Sequence, residues 1–242
     1  MVNVRIPKKI SPCPIIEAIS EVRFEPLVPT EAIFGFIYKE IQVDYPTVDK
    51  LPILQLPDFM RESDPTFTFA PHYKMSNENF IIQVGPRVLS ISNINDYIGW
   101  PIFSVKIFEL LKKILQLGII GDIQRISLRY INFFENNIFN ISNLKYFLRD
   151  DFLGQFGSMI TVEIPSDGLM NAIRMGNNAE IKIDADHILK GSILDIDTFR
   201  PGPIRPDFSE LVNIVEQCHE TEKHLFYKIL KTDFISGLNP EY

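Results

Sequence analysis

Two groups of charged residues have the types and spacing to do chemistry. In RISLRYINFF, Arg125 and Arg129 fall on one face of a predicted strand with Ser127, Ile131 and Phe133. Ile126, Leu128, Tyr130, Asn132 and Phe134 take the other face, since successive strand side chains alternate. The two arginines are roughly 13 Å apart at about 3.3 Å per residue. That is too far to clamp one small carboxylate, and about right to grip two ends of a larger anion. In LDIDTF, Asp195 and Asp197 share a face at i, i+2, about 6–7 Å apart, a spacing that can hold one divalent cation with outside ligands.

Each group also has a purely structural use. Asp195 and Asp197 are natural counter-charges for Arg125 and Arg129 across neighbouring strands, and Asp184 and Asp186 would extend that polar surface. No third acid stands in a defined motif, and there is no phosphate-binding Gly-rich loop or Walker lysine. His219 and His224 are five apart on a predicted helix, so they point in different directions; His72 and His187 are isolated, and no nucleophile elbow is readable. Trp100, at a helix start in DYIGWPIF, can line a pocket, although anchoring its loop is the commoner use. The candidate ligand-binding residues are therefore Arg129, Arg125, Asn132 and Trp100, and the candidate metal pair is Asp195 and Asp197.

The elements that must position these residues follow from periodicity and punctuation. Ile15–Phe24 reads as a strand. Thr30 is placed to cap a helix carrying Ile33, Phe36, Ile37 and Ile41 on its apolar stripe. Prolines at 46, 52, 57, 65 and 71 argue against helix and for a long irregular excursion, a kind of segment that is often functional. Strands are predicted at Thr66–Tyr73, Asn79–Val84 and Arg87–Ile94. A helix follows from Trp100 to Gly118, with Phe103, Ile107, Leu110, Leu111 and Ile114 inward. The second half reads similarly: strand Arg125–Phe134, a helix near Ser142–Phe152, then strands at Met159–Ile164, Leu169–Met175, Ala179–Ala185 and Ile188–Phe199. The linker RPGPIRP leads to a final helix with Asp207 and Glu210 at capping-box spacing. The expectation is an α+β protein: one unit over 1–242, a duplicated strand-helix-strands-helix pattern in pseudo-repeats 14–120 and 121–242. Its antiparallel sheet would have long helices packed on one face.

Composition bounds the function. With 45% hydrophobic and 23% charged residues, the chain is globular and able to bury a core. A net charge of −7 gives no general attraction to nucleic acid or anionic lipid, and Arg5, Lys8 and Lys9 form only a short basic cluster. Two distant cysteines, Cys13 and Cys218, suit a reducing compartment. No signal-peptide core or membrane-length apolar run is present, so a cytoplasmic location is expected.

PIIEAISEVRFEP, YIGWPIF, RISLRYINFF, LDIDTF and CHETEKHLFYKILKTDF, in that order, resemble a sporadically distributed bacterial family of uncharacterised proteins of about this size. The resemblance spans nearly the whole chain and carries no activity, cofactor or catalytic residue with it. It implies a single unit from a bacterium or archaeon, and it places Arg129, Tyr130 and Asn132 in the family's characteristic strand. The expected function is a cytosolic, non-enzymatic binding or interaction module with a groove for a small ligand or protein partner. By fold-level analogy, such a groove resembles the cleft in the duplicated ligand-binding domains of multidrug-sensing regulators. The alternative is a divalent-metal-dependent enzyme acting on phosphate esters through Asp195 and Asp197.

Overall fold

A computed structural model describes residues 6–182 and 188–242. Arg5, Asp184, Asp186, His187 and the expected turn around Asp186 lie outside the described residues. The chain folds as two compact units, one formed by Glu17–Leu128 with Phe199–Gln217, the other by the residues up to Ile16, Arg129–Thr198 and Cys218–Tyr242. The boundary falls inside long elements, so several strands contribute residues to both units. Among the described residues, no helix is long and apolar enough to cross a membrane.

In the unit built on 17–128, β1 (Ile15–Pro26) leads to α1 (Thr30–Ile41), β2 (Thr47–Lys50), α2 (Asp58–Ser63), β3 (Tyr73–Ser76), β4 (Phe80–Val84), β5 (Val88–Asn93), α3 (Trp100–Gln116) and the start of β6 (Ile120–Phe134). The strand order is β2-β3-β4-β5-β1-β6. Antiparallel register places Met75 opposite Ile82, Ile82 opposite Ile91 and Ile91 opposite Ser20. All four are buried, so one row of side chains crosses four strands on the core side. Helix α1 adds Ile33, Ile37 and Ile41, and α3 adds Phe103, Ile107 and Ile114. The Phe103 ring lies 6.4 Å from that of Phe80 on β4, fixing α3 against the sheet within this unit.

The proline-rich stretch is more ordered than its composition predicts. Prolines sit where a missing N–H is harmless: Pro57 precedes α2, and its carbonyl accepts from the Met60 amide at 3.0 Å. Pro52 and Pro65 open 3-10 turns at Pro52–Gln55 and Pro65–Phe67. The expectation of an irregular, helix-free excursion is therefore corrected: it contains β2, two 3-10 turns and α2. The strand expected from Thr66 starts only at Tyr73, because Thr66 and Phe67 belong to one of those turns. Thr30 is not the cap of α1: Pro29 holds that position, and the Thr30 hydroxyl donates to Glu31 at 3.1 Å.

The unit built on 129–198 has strand order β6-β11-β10-β9, with β9 (Met159–Ser166), β10 (Leu169–Lys182) and β11 (Ile188–Ile204). Its core gathers Phe134, Ile138, Phe139, Ile173, Leu194 and Ile196 with Phe226 of α5 (Phe208–Ile229) and Leu230 just beyond it. Three expectations change here. The helix near Ser142–Phe152 is replaced by α4 (Ile138–Ile141) and a hairpin of β7 (Phe147–Leu148) and β8 (Asp151–Phe152). Asn137 caps α4 through the Phe139 amide at 3.0 Å, and the Asn143 amide donates to Lys228 and Leu230 carbonyls at 3.1 Å, which pins the segment before a longer helix can form. The two strands predicted from Leu169 are one strand, β10. Part of RPGPIRP is strand rather than linker, since β11 continues to Ile204. In it, Gly202 lies so close to the Ile123 carbonyl and the Gln124 backbone that no side chain fits. Asp207 does cap α5, accepting from the Glu210 amide at 2.8 Å.

Candidate functional site

The face assignment of β6 sets what its charged residues can reach. Ile126, Leu128, Tyr130, Asn132 and Phe134 are buried, whereas Arg125 and Arg129 on the opposite face keep 13% and 34% of their side-chain surface in water. Arg125 donates to Glu21 of β1 and to Ser127, both at 3.0 Å, and its guanidinium lies 4.2 Å over the Phe199 ring. Glu21 is thus an acid of Arg125 that the strand spacing did not point to. Arg129 makes a two-pronged contact with Asp195, Nε to Oδ1 and Nη2 to Oδ2, both 2.7 Å. Arg174 of β10 adds a third donor at 3.1 Å. Asp195 sits on β11, the strand between them, and is 4% exposed.

Two guanidiniums thus share one buried carboxylate on a sheet face. Asp197 is also buried on that face. Among the described residues, no group of three or more His, Cys, Asp or Glu is placed to hold a metal ion. Asn132 points the other way, into the core, where its amide donates to the Leu194 carbonyl at 3.1 Å and ties β6 to β11. Strand alternation therefore separates Asn132 from Arg129. Trp100 opens α3 and donates through Nε1 to Glu216 at 3.3 Å within the 17–128 unit.

A more open site lies under the proline-rich excursion. A groove of about 560 Å³ is walled by Phe34 of α1, Leu54, Arg61 of α2, Phe67 and the His72-Tyr73 entry to β3, with the β4–β5 turn Gly85–Arg87 at one side. The size falls in the range of small-molecule pockets. The rings of Phe34 and Tyr73 stack at 3.7 Å and 13°. Arg61 is held by Asp58 and by the Leu56 carbonyl at 2.5 Å, and Arg87 is paired with Glu25. His72 is pushed below the usual histidine range first by burial and then by the Arg61 charge, so its ring is neutral at physiological pH.

Gly85 makes the wall possible. A Cβ there would collide with the Ala70 carbonyl and stand 2.8 Å from Val88 Cγ1. Gly85→Ala is expected to cost about 1–3 kcal/mol by forcing the 70–71 backbone off the turn, read as a lower denaturant midpoint. Proline density was the sequence signal for this region. It could not identify His72, Tyr73, Phe34 or Gly85, which come from elements whose approach depends on the fold.

Comparison with protein-family models and with curated proteins returns no match for this chain.

Proposed function

We propose that the protein is a cytosolic, non-enzymatic binding module whose ligand occupies the groove beneath residues 51–72. The observation that carries this reading is the groove itself: about 560 Å³, walled by aromatic rings and a few fixed polar groups, and roofed by a long excursion with its own short elements. Rigid walls suit binding, because little order must be imposed when the ligand arrives. Arg129 and Arg125 serve mainly as sheet-face counter-ions in this reading. The phosphate-ester alternative has no comparable support, since both oxygens of Asp195 already accept guanidinium hydrogen bonds.

The same proposal includes an ancestral duplication and membership of the sporadically distributed bacterial family. In pseudo-repeat 14–120 the sheet order is β1-β5-β4-β3, with β2 as an added edge strand, and in 121–242 it is β6-β11-β10-β9. Each repeat begins with the strand that pairs its last one, and each last strand is followed by a long helix, α3 or α5. That correspondence supports duplication.

The test is to purify the protein without denaturation and identify released small molecules by mass spectrometry. Leu54→Trp, which fills the groove, is expected to lose the molecule retained by the wild type while keeping the same melting temperature within about 2 °C, the shift a few tenths of a kcal/mol produces. A molecule retained equally by both proteins would sink the groove assignment.

A further inference from the structure

We infer that the groove takes an organic cation carrying an aromatic or alkyl body. This rests on the groove being the binding site, as proposed above. The sign of the ligand follows from which charges around the groove are already matched. Both cationic side chains in its wall have acids: Arg61 has Asp58, and Arg87 has Glu25. The acids Glu31 and Glu62 have none. Among the described residues, Glu31 accepts only the neighbouring Thr30 hydroxyl, at 3.1 Å, and Glu62 has no hydrogen bond or ion pair.

The remaining titratable ring, His72, is neutral at physiological pH, so it supplies no compensating positive charge. The uncompensated charge at this groove is therefore negative and sits on its rim, where Glu31 and Glu62 are exposed. Exposed carboxylates contribute modest energy each, and they discriminate by sign and speed association. Below the rim, Phe34, Phe67 and Tyr73 line the groove; Phe34 and Tyr73 stack on each other, the rings can bury an apolar body, and a ring face turned to the groove attracts a cation. The protein's net charge of −7 adds a long-range field of the same sign. An anion of equal size would meet two repelling carboxylates and two guanidiniums already engaged.

The experiment compares benzyltrimethylammonium with phenylacetate, probes of similar body and opposite charge, by calorimetric titration of the full chain at low ionic strength. The cation is expected to bind saturably, at least about tenfold more tightly than phenylacetate, and to weaken as salt screens the rim. Glu31→Gln combined with Glu62→Gln should weaken the cation about five- to tenfold, the range two exposed charge contacts produce, with an unchanged circular dichroism spectrum. Phenylacetate binding as tightly as the cation, or a double variant that binds the cation like the wild type, overturns the inference. Leu54→Trp, with Thr30→Trp as a second blocking variant from the α1 side, separates the two levels. If phenylacetate binds better and a blocking variant abolishes it, the groove stands and its charge preference falls. If no probe shows binding that either blocking variant removes, both fall.

Discussion

Asp195→Ala is expected to lower stability by roughly 3 kcal/mol, the lower end of what breaking a buried ion pair costs. The lower end applies because Arg129 and Arg174 keep 34% and 41% of their side-chain surface in water, so the guanidiniums left behind are partly solvated. The change should appear as a lower urea midpoint at unchanged slope. Arg174→Met should cost about 1 kcal/mol, because Arg129 still satisfies both carboxylate oxygens. Arg129→Met should cost more than Arg174→Met, since it removes the two-pronged contact and leaves Asp195, 4% exposed, with a single donor. An Asp195→Ala protein within about 0.5 kcal/mol of wild type would show that the triad does not hold the sheet. If Arg174→Met proved the costlier of the two arginine changes, the assignment of roles would be wrong.

The second large effect is a pH dependence carried by two residues one turn apart on α5. His219 is held down to about 4, first by burial and then by the Lys223 charge, and its Nδ1 lies 3.2 Å from the Tyr130 hydroxyl. The unfolded chain takes up a proton at His219 below about pH 6.5, while the folded chain resists until near 4. Stability is therefore lost as pH falls through that window, by about 3 kcal/mol in all. Glu222 acts in the opposite sense. It occupies the inward stripe of α5 with Leu211, Val215, Cys218 and Phe226, is 5% exposed, and burial raises its carboxyl well above the usual range. The folded chain keeps that proton above the unfolded value near 4.5, so stability is lost as pH rises from there toward the folded value.

The measurable consequence lies in difference curves. Wild type minus His219→Gln should climb between pH 4 and 6.5 and then level off. Wild type minus Glu222→Gln should fall with rising pH above about 4.5, leaving the variant more stable than wild type in mild alkali. Chemical denaturation across pH 4–8.5 reads both, at roughly 1.4 kcal/mol per unit of displaced pKa. A flat His219 difference curve would mean that the ring is solvated in the folded protein.

Much of the fold was legible because periodicity reports burial directly. β1, α1, α3 and α5 start or end close to where their stripes and breakers predict, and Gly118, at φ +64°, terminates the α3 region as expected of a glycine after a helix. The failures have local physical causes. The helix expected near 142–152 does not form: Asn137 caps the short α4 through Phe139, Asn143 is tied to the Lys228 carbonyl of α5, and the chain continues as a hairpin. Proline density predicts broken helices, yet Pro57 sits at a helix cap, where it breaks nothing.

For the candidate site, strand alternation alone put Arg125 and Arg129 on one face of β6 and Asn132 on the other, because the side-chain period of a strand is a covalent property; that Asn132 is buried, and so an unsuitable ligand contact, came from the fold. Proline density alone marked 46–71 as unusual. Which acid each arginine meets, Glu21 or Asp195, depends on strand order, and strand order follows from long-range pairing that no local pattern encodes. The groove is likewise a tertiary product: Phe34, Leu54, Arg61, His72 and Gly85 come together from five separate segments. The sequence determined the elements, their faces and the charge of the whole. Only the folded structure decided which of those charges pair with one another.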